Sequence, residues 1–374
     1  MSLSQTEPPR TSLRLASGNG PITRSVLRSP LRDAQPAEIP VIDVADAFSS
    51  SLEKRKAVAA QIRDAATTSG FFYIANHGIP TNVTDGAYQA CLDFFRQDAD
   101  VKMDAWERKS RYFNGYKPPG SQRINKSESI DCRETFSWTY DPRYDPNVED
   151  VDAIPEAARR FLRMEDFHWD ATANKPHFKE AIVQYWRSCL ALARVLIRSF
   201  ALSLDLPEAY FDSKFAYPDA ALALNYYPPL PAPLESGKDD AQTHVSIGSH
   251  TDFQLFTMLW QDDVGGLQVL SREGQWLRAV PIPGTFVVNM ADYMQRITND
   301  RYVSTVHRAQ NWSARERVSM PFFFGFGLHE SCAVVESCVG EGERPRYEEM
   351  GCDDWVKRRA RAMHKVGSDD EDDG

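Results

Sequence analysis

Cysteine is sparse in this sequence, and its positions suit neither a zinc site nor a disulfide framework. The 374 residues include six cysteines, and no two of them form a Cys-x-x-Cys pair. Cysteines scattered in this way over a long chain are typical of reduced, buried thiols. The pattern therefore favours a reducing, cytoplasmic location.

Long apolar runs and an excess of basic residues are also missing. No apolar stretch reaches the roughly 18 residues that a transmembrane helix needs, and no secretory signal precedes the first predicted strand. Lys and Arg total 43 against 53 Asp and Glu, which gives a formal net charge of -10. Because nucleic-acid binding relies on positive charge facing phosphates, we expect neither a nucleic acid nor a membrane as partner.

The two ends of the chain differ in composition from the rest. Residues 1–37 contain five arginines among many Ser and Thr, together with several prolines and two acidic residues. An Arg- and Ser-rich leader could be a mitochondrial transit peptide, but the prolines and acids favour a plain disordered leader. Residues 366–374 form an acidic run, which predicts a solvated, disordered tail.

Apolar residues recur at helical spacing in the first half of the chain, whereas short strands dominate after about residue 220. The polar stretch 111–146 predicts a long loop with short strands, and long loops are often functional. The helical pattern covers 51–68, 84–97, 174–204 and, as a charged helix near the end, 346–365. Strands are predicted at 39–44, 70–74, 223–227, 256–260, 267–270, 286–289, 304–308 and 318–324. Short strands at such spacing favour a β-sandwich or barrel.

Two metal-binding side chains lie two positions apart at His250 and Asp252. Since residues i and i+2 of an extended strand point to the same side, both could bind one ion. His307, on another strand, would complete a set of two histidines and one carboxylate, which is typical of non-haem Fe(II) and oxygen chemistry. Alone, the triplet would favour a surface turn capped by Asp252, so the assignment depends on its companions.

Arg317 and Ser319 form a second i, i+2 pair, downstream of His307. The planar guanidinium matches a carboxylate with two hydrogen bonds, and the hydroxyl adds a donor. A strand carrying both beside a metal would bind the far end of a dicarboxylate, although Arg317 alone could form a surface salt bridge. Asn225 and Tyr227 share one face of a predicted strand and could bond the same oxygens. Alternatively, Tyr227 is a core aromatic before the Pro-Pro stop.

These motifs follow one another in a characteristic order along the chain. They are Asn225–Pro229, His250–Asp252, Gly265–Val269, Val288–Asp292, Ser304–Arg308 and Arg317–Ser319. In order and spacing the sequence resembles the 2-oxoglutarate/Fe(II)-dependent dioxygenases of the isopenicillin N synthase-like class. Ile39–Asp43 and Gly70–Ile79 are similar to that class's N-terminal region, so the resemblance covers about residues 38 to 360. One departure is visible, because Leu230 and Pro231 stand where many plant members have Cys-Pro.

The resemblance implies an α+β fold with a mainly β core, namely a double-stranded β-helix (jelly roll) with flanking helices. Residues 38–210 would form the N-terminal region, 211–345 the jelly-roll core and 346–365 a C-terminal helix. It implies an enzyme that uses Fe(II), 2-oxoglutarate and O2 and that oxidises a small organic molecule in specialised metabolism, with release of succinate and CO2. Hydroxylation, desaturation and cyclisation all remain open, as does the oligomeric state.

Carried over residue by residue, the resemblance implies His250, Asp252 and His307 as iron ligands. Arg317 and Ser319 would hold the distal carboxylate of 2-oxoglutarate, and Asn225 and Tyr227 match positions that contact this cosubstrate. Two alternatives stay open: an oxidase like isopenicillin N synthase, in which the Arg-x-Ser pair holds the substrate and no 2-oxoglutarate is used, and a catalytically inactive binding protein.

Aromatic residues near the expected mouth of the site are candidates for the substrate pocket. They are Tyr112, Phe113, Phe136, Phe253 and Phe326. Core packing is the alternative for each of them. Arg133 and Glu134 lie in the long loop, where a surface ion pair is the plain interpretation. His244 has no carboxylate at i+2 and is expected in a loop rather than among the ligands.

Overall fold

Most strands of the computed structural model, which describes residues 9–229 and 245–365, belong to two β-sheets of unequal size. In chain order the strands are β1 (Arg10–Leu15), β2 (Ile22–Leu27), β3 (Arg32–Asp33), β4 (Val41–Asp43), β5 (Phe71–Ala75), β6 (Gly115–Lys117), β7 (Glu134–Trp138), β8 (Asp219–Tyr227), β9 (Ile247–His250), β10 (Phe256–Gln261), β11 (Leu267–Leu270), β12 (Trp276–Arg278), β13 (Phe286–Met290), β14 (His307–Ala309), β15 (Arg317–Gly325), β16 (Ser331–Cys332) and β17 (Met350–Gly351). The eight-stranded sheet has the order β4-β5-β13-β10-β15-β8-β7-β6, and the five-stranded sheet has the order β3-β12-β11-β14-β9.

The two sheets pack face to face through apolar side chains at one end. Phe71 and Val287 of the larger sheet share a buried cluster with Leu267 and Val269 of the smaller one. Polar residues of both sheets also line a cavity. This arrangement confirms the jelly-roll prediction.

The alternation of side chains along β15 shows how one strand serves both the core and the cavity. Val318, Met320 and Phe322 are fully buried in the main hydrophobic core. Arg317 and Ser319 point to the opposite face and line the cavity. Because neighbouring residues of a strand face opposite sides, one strand presents an apolar face to the helices and a polar face to the site.

Helices cover the outer face of the larger sheet. The long helix α6 is held to two of its strands by side-chain hydrogen bonds, from the Tyr185 hydroxyl to the Met320 carbonyl (3.0 Å) and from the Trp186 indole to the Ala220 carbonyl (3.2 Å). The helices are α1 (Leu52–Thr68), α2 (Thr81–Phe95), α3 (Ala99–Lys102), α4 (Glu156–Arg159), α5 (Phe167–Asp170), α6 (Phe178–Ser203), α7 (Asp292–Ile297) and α8 (Cys352–Lys365). Within the described ranges, no helix combines the length and apolarity needed to span a bilayer.

The N-terminal region differs from the sequence-based expectation of a disordered leader. Strands β1 and β2 form an antiparallel hairpin, and β3 joins the smaller sheet beside β12. Leu15 and Val26 pack with Trp276 and Val306 in a separate buried cluster. The expectation is wrong for residues 10–33, because alternating apolar side chains on β1 bury one face that composition alone does not reveal. Residues 1–8 and the acidic tail 366–374 lie outside the described residues.

The C-terminal helix begins later than its charge pattern predicts. Met350 pairs with Cys332 and Gly351 with Ser331, so these residues form a two-stranded ladder instead of a helical turn. Helix α8 therefore starts at Cys352, not at residue 346.

Candidate active site

His250 and His307 come together because their strands are neighbours in the smaller sheet. The two residues are paired directly across β9 and β14, and their ring centroids lie 4.3 Å apart. Asp252 follows two residues after His250, just beyond the end of β9 rather than on the strand. One ligand atom from each of the three side chains lies within 4.8 Å of the others.

Both imidazole rings are oriented by backbone carbonyls. The Nδ1 atom of His250 lies 2.7 Å from the Gly248 oxygen, and that of His307 lies 3.1 Å from the Thr305 oxygen. Donation of the Nδ1 proton to a carbonyl leaves Nε2 with its lone pair available, as metal-binding histidines require. The two Nε2 atoms face Asp252 Oδ1, at 3.7 Å from His250 and 3.8 Å from His307.

The carboxylate of Asp252 is divided between two tasks. Its Oδ2 atom accepts hydrogen bonds from the Thr257 hydroxyl (2.5 Å) and the Asn289 amide (2.8 Å). Oδ1 is left facing the two histidines. Burial alone would raise the pKa of Asp252, but His307, His250 and the two hydrogen-bond donors lower it below its usual value. The group is therefore held as a carboxylate, in the form that binds a cation.

A buried ion pair supports the segment between the two upstream ligands. Arg359 of α8 donates to the carbonyl and the hydroxyl of Thr251, at 3.1 and 3.3 Å. Its Nε atom lies 2.9 Å from Asp292 Oδ2, which also accepts a hydrogen bond from Thr251 (3.2 Å). The same guanidinium stacks over the Phe253 ring and donates to the Ala16 carbonyl (2.9 Å). Helix α8 thus ties the ligand segment to the N-terminal hairpin.

A second polar group lies at the cavity wall formed by β8 and β15. Arg317 is paired with Tyr227 across the two strands, and Ser319 is paired with Asn225. The guanidinium carbon of Arg317 lies 4.4 Å from the centroid of the Tyr227 ring, and the Tyr227 hydroxyl lies 3.2 Å from the Ser319 hydroxyl. The two pairs that the i, i+2 spacing placed on one face of each strand therefore lie next to each other at the cavity wall.

The Arg317 guanidinium is only partly satisfied by the protein. It donates from Nε to the Gly265 carbonyl and from one terminal nitrogen to Gln261 (3.3 Å). The other terminal nitrogen, Nη1, is buried and has no hydrogen-bond partner among the described residues. A buried guanidinium nitrogen without a partner is costly. Beside two hydroxyls, it is the donor set that a carboxylate would complete.

The three histidine and aspartate side chains and the Arg317 group share one cavity of about 360 Å³. Its walls come from both sheets, from the 124–133 stretch of the long loop, from the N-terminal hairpin and from α8. Asn125 holds two of these walls together, because its amide donates to the Arg14 and Ser249 carbonyls, both at 3.2 Å. The N-terminal hairpin therefore forms part of the cavity wall.

Of the five aromatic residues predicted to line the substrate pocket, only Phe253 does so. Phe136 packs edge-to-face against Phe94 and Phe178 and lies beside Trp169, and Phe326 packs against Phe211 and Tyr293, all in the main core. Phe113 is 65% exposed, and Tyr112 does not reach the cavity either. The expectation is corrected for these four residues, because sequence pattern does not tell an aromatic in the core from one at a cavity.

Arg133 and Glu134 do not form the surface ion pair suggested by their position in the long loop. Glu134 is buried and binds Lys102 and the Tyr116 hydroxyl, both at 2.5 Å. Arg133 lines the cavity and donates a hydrogen bond to the side-chain oxygen of Asn225. Adjacent residues at a strand point to opposite faces, so one enters the core and the other the cavity. The alternation along β7 could have indicated these opposite directions. The sequence pattern predicts a loop over these residues instead, so the alternation was missed. His244 lies outside the described residues.

Comparisons with known proteins agree with this geometry. Residues 218–326 match the family model described as the 2OG-Fe(II) oxygenase superfamily, and residues 39–157 match the one described as non-haem dioxygenase in morphine synthesis N-terminal. The 2-oxoglutarate-Fe(II) type oxidoreductase ppzC of Metarhizium majus is 61% identical over 353 residues, covering 94% of each chain.

More distant proteins extend the similarity. The 2-oxoglutarate-Fe(II) type oxidoreductase hxnY of Emericella nidulans is 30% identical over 325 residues, which are 86% of this chain and 89% of that protein. The crystal structure of a 2OG-Fe(II) oxygenase family protein from Caulobacter crescentus is similar with a TM-score of 0.71 and 25% identity, covering 87% of this chain and 99% of that one.

Proposed function

The chain belongs to the 2OG-Fe(II) oxygenase superfamily, and we propose that His250, Asp252 and His307 hold the Fe(II) of this oxidoreductase. The observation that carries the assignment is the convergence of two Nε2 atoms and one carboxylate oxygen, each with its other polar atom already bonded within the protein. Two histidines and one carboxylate are the ligand set of non-haem iron oxygenases.

When bound, the iron supplies the activation of O2 that is coupled to decarboxylation of 2-oxoglutarate to succinate and CO2. The residues of this chain supply orientation and charge. Gly248 and Thr305 fix the two rings through their carbonyls, and Thr257 and Asn289 fix the carboxylate. Because these supporting bonds already exist in the protein, little reorganisation is needed when the metal binds.

We assign the far carboxylate of 2-oxoglutarate to Arg317, Tyr227 and Ser319. The unpartnered Nη1 of Arg317 supports this role, together with the two hydroxyls beside it. Asn225 lines the same cavity, but its side-chain oxygen already accepts hydrogen bonds from Arg133 and from the Thr135 hydroxyl. Its contribution to cosubstrate binding is therefore through the amide nitrogen.

The organic substrate is a small molecule oxidised in the remaining part of the cavity. The lining beyond the metal and Arg317 is mixed, with Phe253, Leu15, Val356 and Ile124 beside the polar groups. Participation in specialised metabolism is part of the same proposal. A cytoplasmic location is supported by the six cysteines, all of which are free.

The experiment that tests the assignment measures succinate formed by the purified protein supplied with Fe(II), 2-oxoglutarate and O2. We expect His307→Ala and Asp252→Ala to lose Fe(II) binding and succinate formation together. His177→Ala is the matched control, because this exposed histidine does not line the cavity. Full activity of the Asp252→Ala protein with iron supplied would contradict the proposed ligand set.

A further inference from the structure

Positive charge is concentrated around the cavity. Besides the three proposed metal ligands, its lining includes more cationic than acidic side chains, namely Arg14, Lys126, Arg133, Arg308, Arg317 and Arg359 against Asp219. A cavity with such an excess attracts anions.

Two of these arginines have carboxylate partners. Arg308 faces Glu128, with 3.7 Å between Nη1 and Oε1, and it stacks over Trp276 with 4.1 Å between the guanidinium carbon and the ring centroid. Arg359 forms the ion pair with Asp292 described above. Both guanidinium groups are therefore held by structural contacts.

Arg133 is held differently. Its Nη1 donates to a neutral amide oxygen, that of Asn225, and its Nε is buried without a hydrogen-bond partner in the described ranges. Across residues 9–229 and 245–365, no carboxylate forms an ion pair with it. Its neighbour Glu134 is turned into the core toward Lys102. A buried guanidinium nitrogen that no protein group satisfies indicates a missing acceptor.

Arg133 lines the same cavity as the proposed metal ligands His250 and His307. An organic substrate that occupies this cavity beside the metal therefore meets the Arg133 side chain.

The charges of the proposed iron, its ligands and the cosubstrate balance without Arg133. Fe(II) and Arg317 are cationic, Asp252 is anionic, and 2-oxoglutarate is a dianion, so this set is neutral as a whole. Asp131 lies near Arg133 but forms no ion pair with it among the described residues, and its Oδ1 atom accepts hydrogen bonds from the backbone N–H groups of Ile124 and Gly248. The positive charge of Arg133 is neutralised neither by this set nor by an ion pair within the described ranges, and a single anionic group on the organic substrate would neutralise it.

We propose that Arg133 binds an anionic group of the organic substrate, foremost a carboxylate, and that the enzyme therefore acts on small organic acids. The planar fork accommodates a carboxylate while one nitrogen stays bonded to Asn225. Asn225 is then the positioning residue for Arg133. This inference rests on the proposed function, because it assumes that iron and 2-oxoglutarate occupy the other part of the cavity.

The test uses the full-length protein loaded with Mn(II) and saturating 2-oxoglutarate. The probes are small monocarboxylic acids, each paired with its primary amide, such as benzoate with benzamide and phenylacetate with phenylacetamide. Binding is measured by calorimetry and by thermal shift for the natural chain, Arg133→Gln and Arg133→Lys. Arg14→Gln is the matched control, because it removes an exposed cation from the rim of the same cavity.

We expect acids to bind at least about tenfold more tightly than their amides, the usual advantage of a charge-assisted bond. Arg133→Gln should abolish this preference, Arg133→Lys should keep part of it, and Arg14→Gln should keep most of it. The dissociation constant of 2-oxoglutarate, measured without a probe, should change less than about threefold in Arg133→Gln.

Three results would overturn the inference. The natural chain could show no preference for acids, the preference could survive in Arg133→Gln, or Arg133→Gln could weaken 2-oxoglutarate binding tenfold, which would make Arg133 a cosubstrate residue. Failure of the proposed function itself looks different, because the natural chain would then neither bind the metal nor turn 2-oxoglutarate into succinate with Fe(II).

Discussion

His250 and His307 stand opposite each other in the register of β9 and β14, two strands that the chain order separates by several others. Both side chains point to the cavity face of the smaller sheet. A shift of this register by one residue would turn one of the rings to the other face. The pairing of the strands therefore decides whether a metal site exists at all.

The hydrogen bond from Thr257 to Asp252 predicts a change in metal affinity. Thr257→Val keeps the shape of the side chain but removes the donor at 2.5 Å from Oδ2. We expect metal affinity to fall by about tenfold, as for other groups that orient a ligand. Anaerobic titration with Fe(II) measures the effect. Thr285→Val is the control, since the Thr285 hydroxyl bonds the Ile282 carbonyl away from the site, and equal affinities of both variants would refute the idea.

We expect substitutions of Arg317 and Tyr227 to weaken 2-oxoglutarate binding to different extents. Arg317→Leu leaves the cosubstrate carboxylate without its cation, and we expect the 2-oxoglutarate requirement to rise by at least about 100-fold. Tyr227→Phe removes one neutral hydroxyl, which is worth about 1 kcal/mol, so we expect a rise of about fivefold. A titration of 2-oxoglutarate against succinate formation separates the two. If Arg317→Leu affected only the organic substrate, the oxidase alternative without 2-oxoglutarate would be favoured.

The ion pair between Arg359 and Asp292 predicts a stability effect that a double substitution reverses. Arg359→Met leaves a buried carboxylate without its cation, which typically costs about 3–5 kcal/mol of unfolding free energy. Asp292→Asn in the same chain removes that charge, so we expect a substantial part of the loss to be recovered. Denaturant unfolding of the single and double variants measures this coupling. Simple additivity of the two losses would show that the pair does not act as a unit.

The burial of His168 predicts that the free energy of unfolding falls in acid, whether or not iron is bound. It is buried among Trp138, Trp169 and Phe136, and burial lowers its pKa to about 3. Between pH 6.5 and 3 the unfolded chain binds a proton that the folded chain does not, so stability falls as the pH falls, by about 1.4 kcal/mol per unit.

The measurement compares unfolding free energies at pH 7.5 and pH 5. We expect His168→Phe to lose about 2 kcal/mol less than the natural chain over this interval, because phenylalanine cannot be protonated. His177→Phe, which changes an exposed histidine, should lose as much as the natural chain. Equal losses in all three proteins would contradict the assignment.

Several features followed from the sequence because they depend on local pattern. The i, i+2 spacing put Arg317 and Ser319 on one face of a strand, and the structure shows both in the cavity. The core of the long helix α6 followed from helical spacing, since the observed bounds Phe178–Ser203 lie within the predicted 174–204. Such predictions succeed because a side chain's direction relative to its own strand or helix is fixed by backbone geometry.

Other features depend on contacts between residues far apart in the chain. The N-terminal hairpin forms because partners distant in the chain, Trp276 and Val306, cover its apolar face. Whether an aromatic residue enters the core, as Phe136 does, or the cavity, as Phe253 does, depends on which sheet face it meets. The different environments of Arg133 and Glu134 also depend on tertiary contacts, because the cation that pairs with Glu134 is Lys102 of α3. The sequence determined the chemistry of the ligands, whereas long-range packing determined what surrounds them, because a side chain's environment is made by residues far away in the chain.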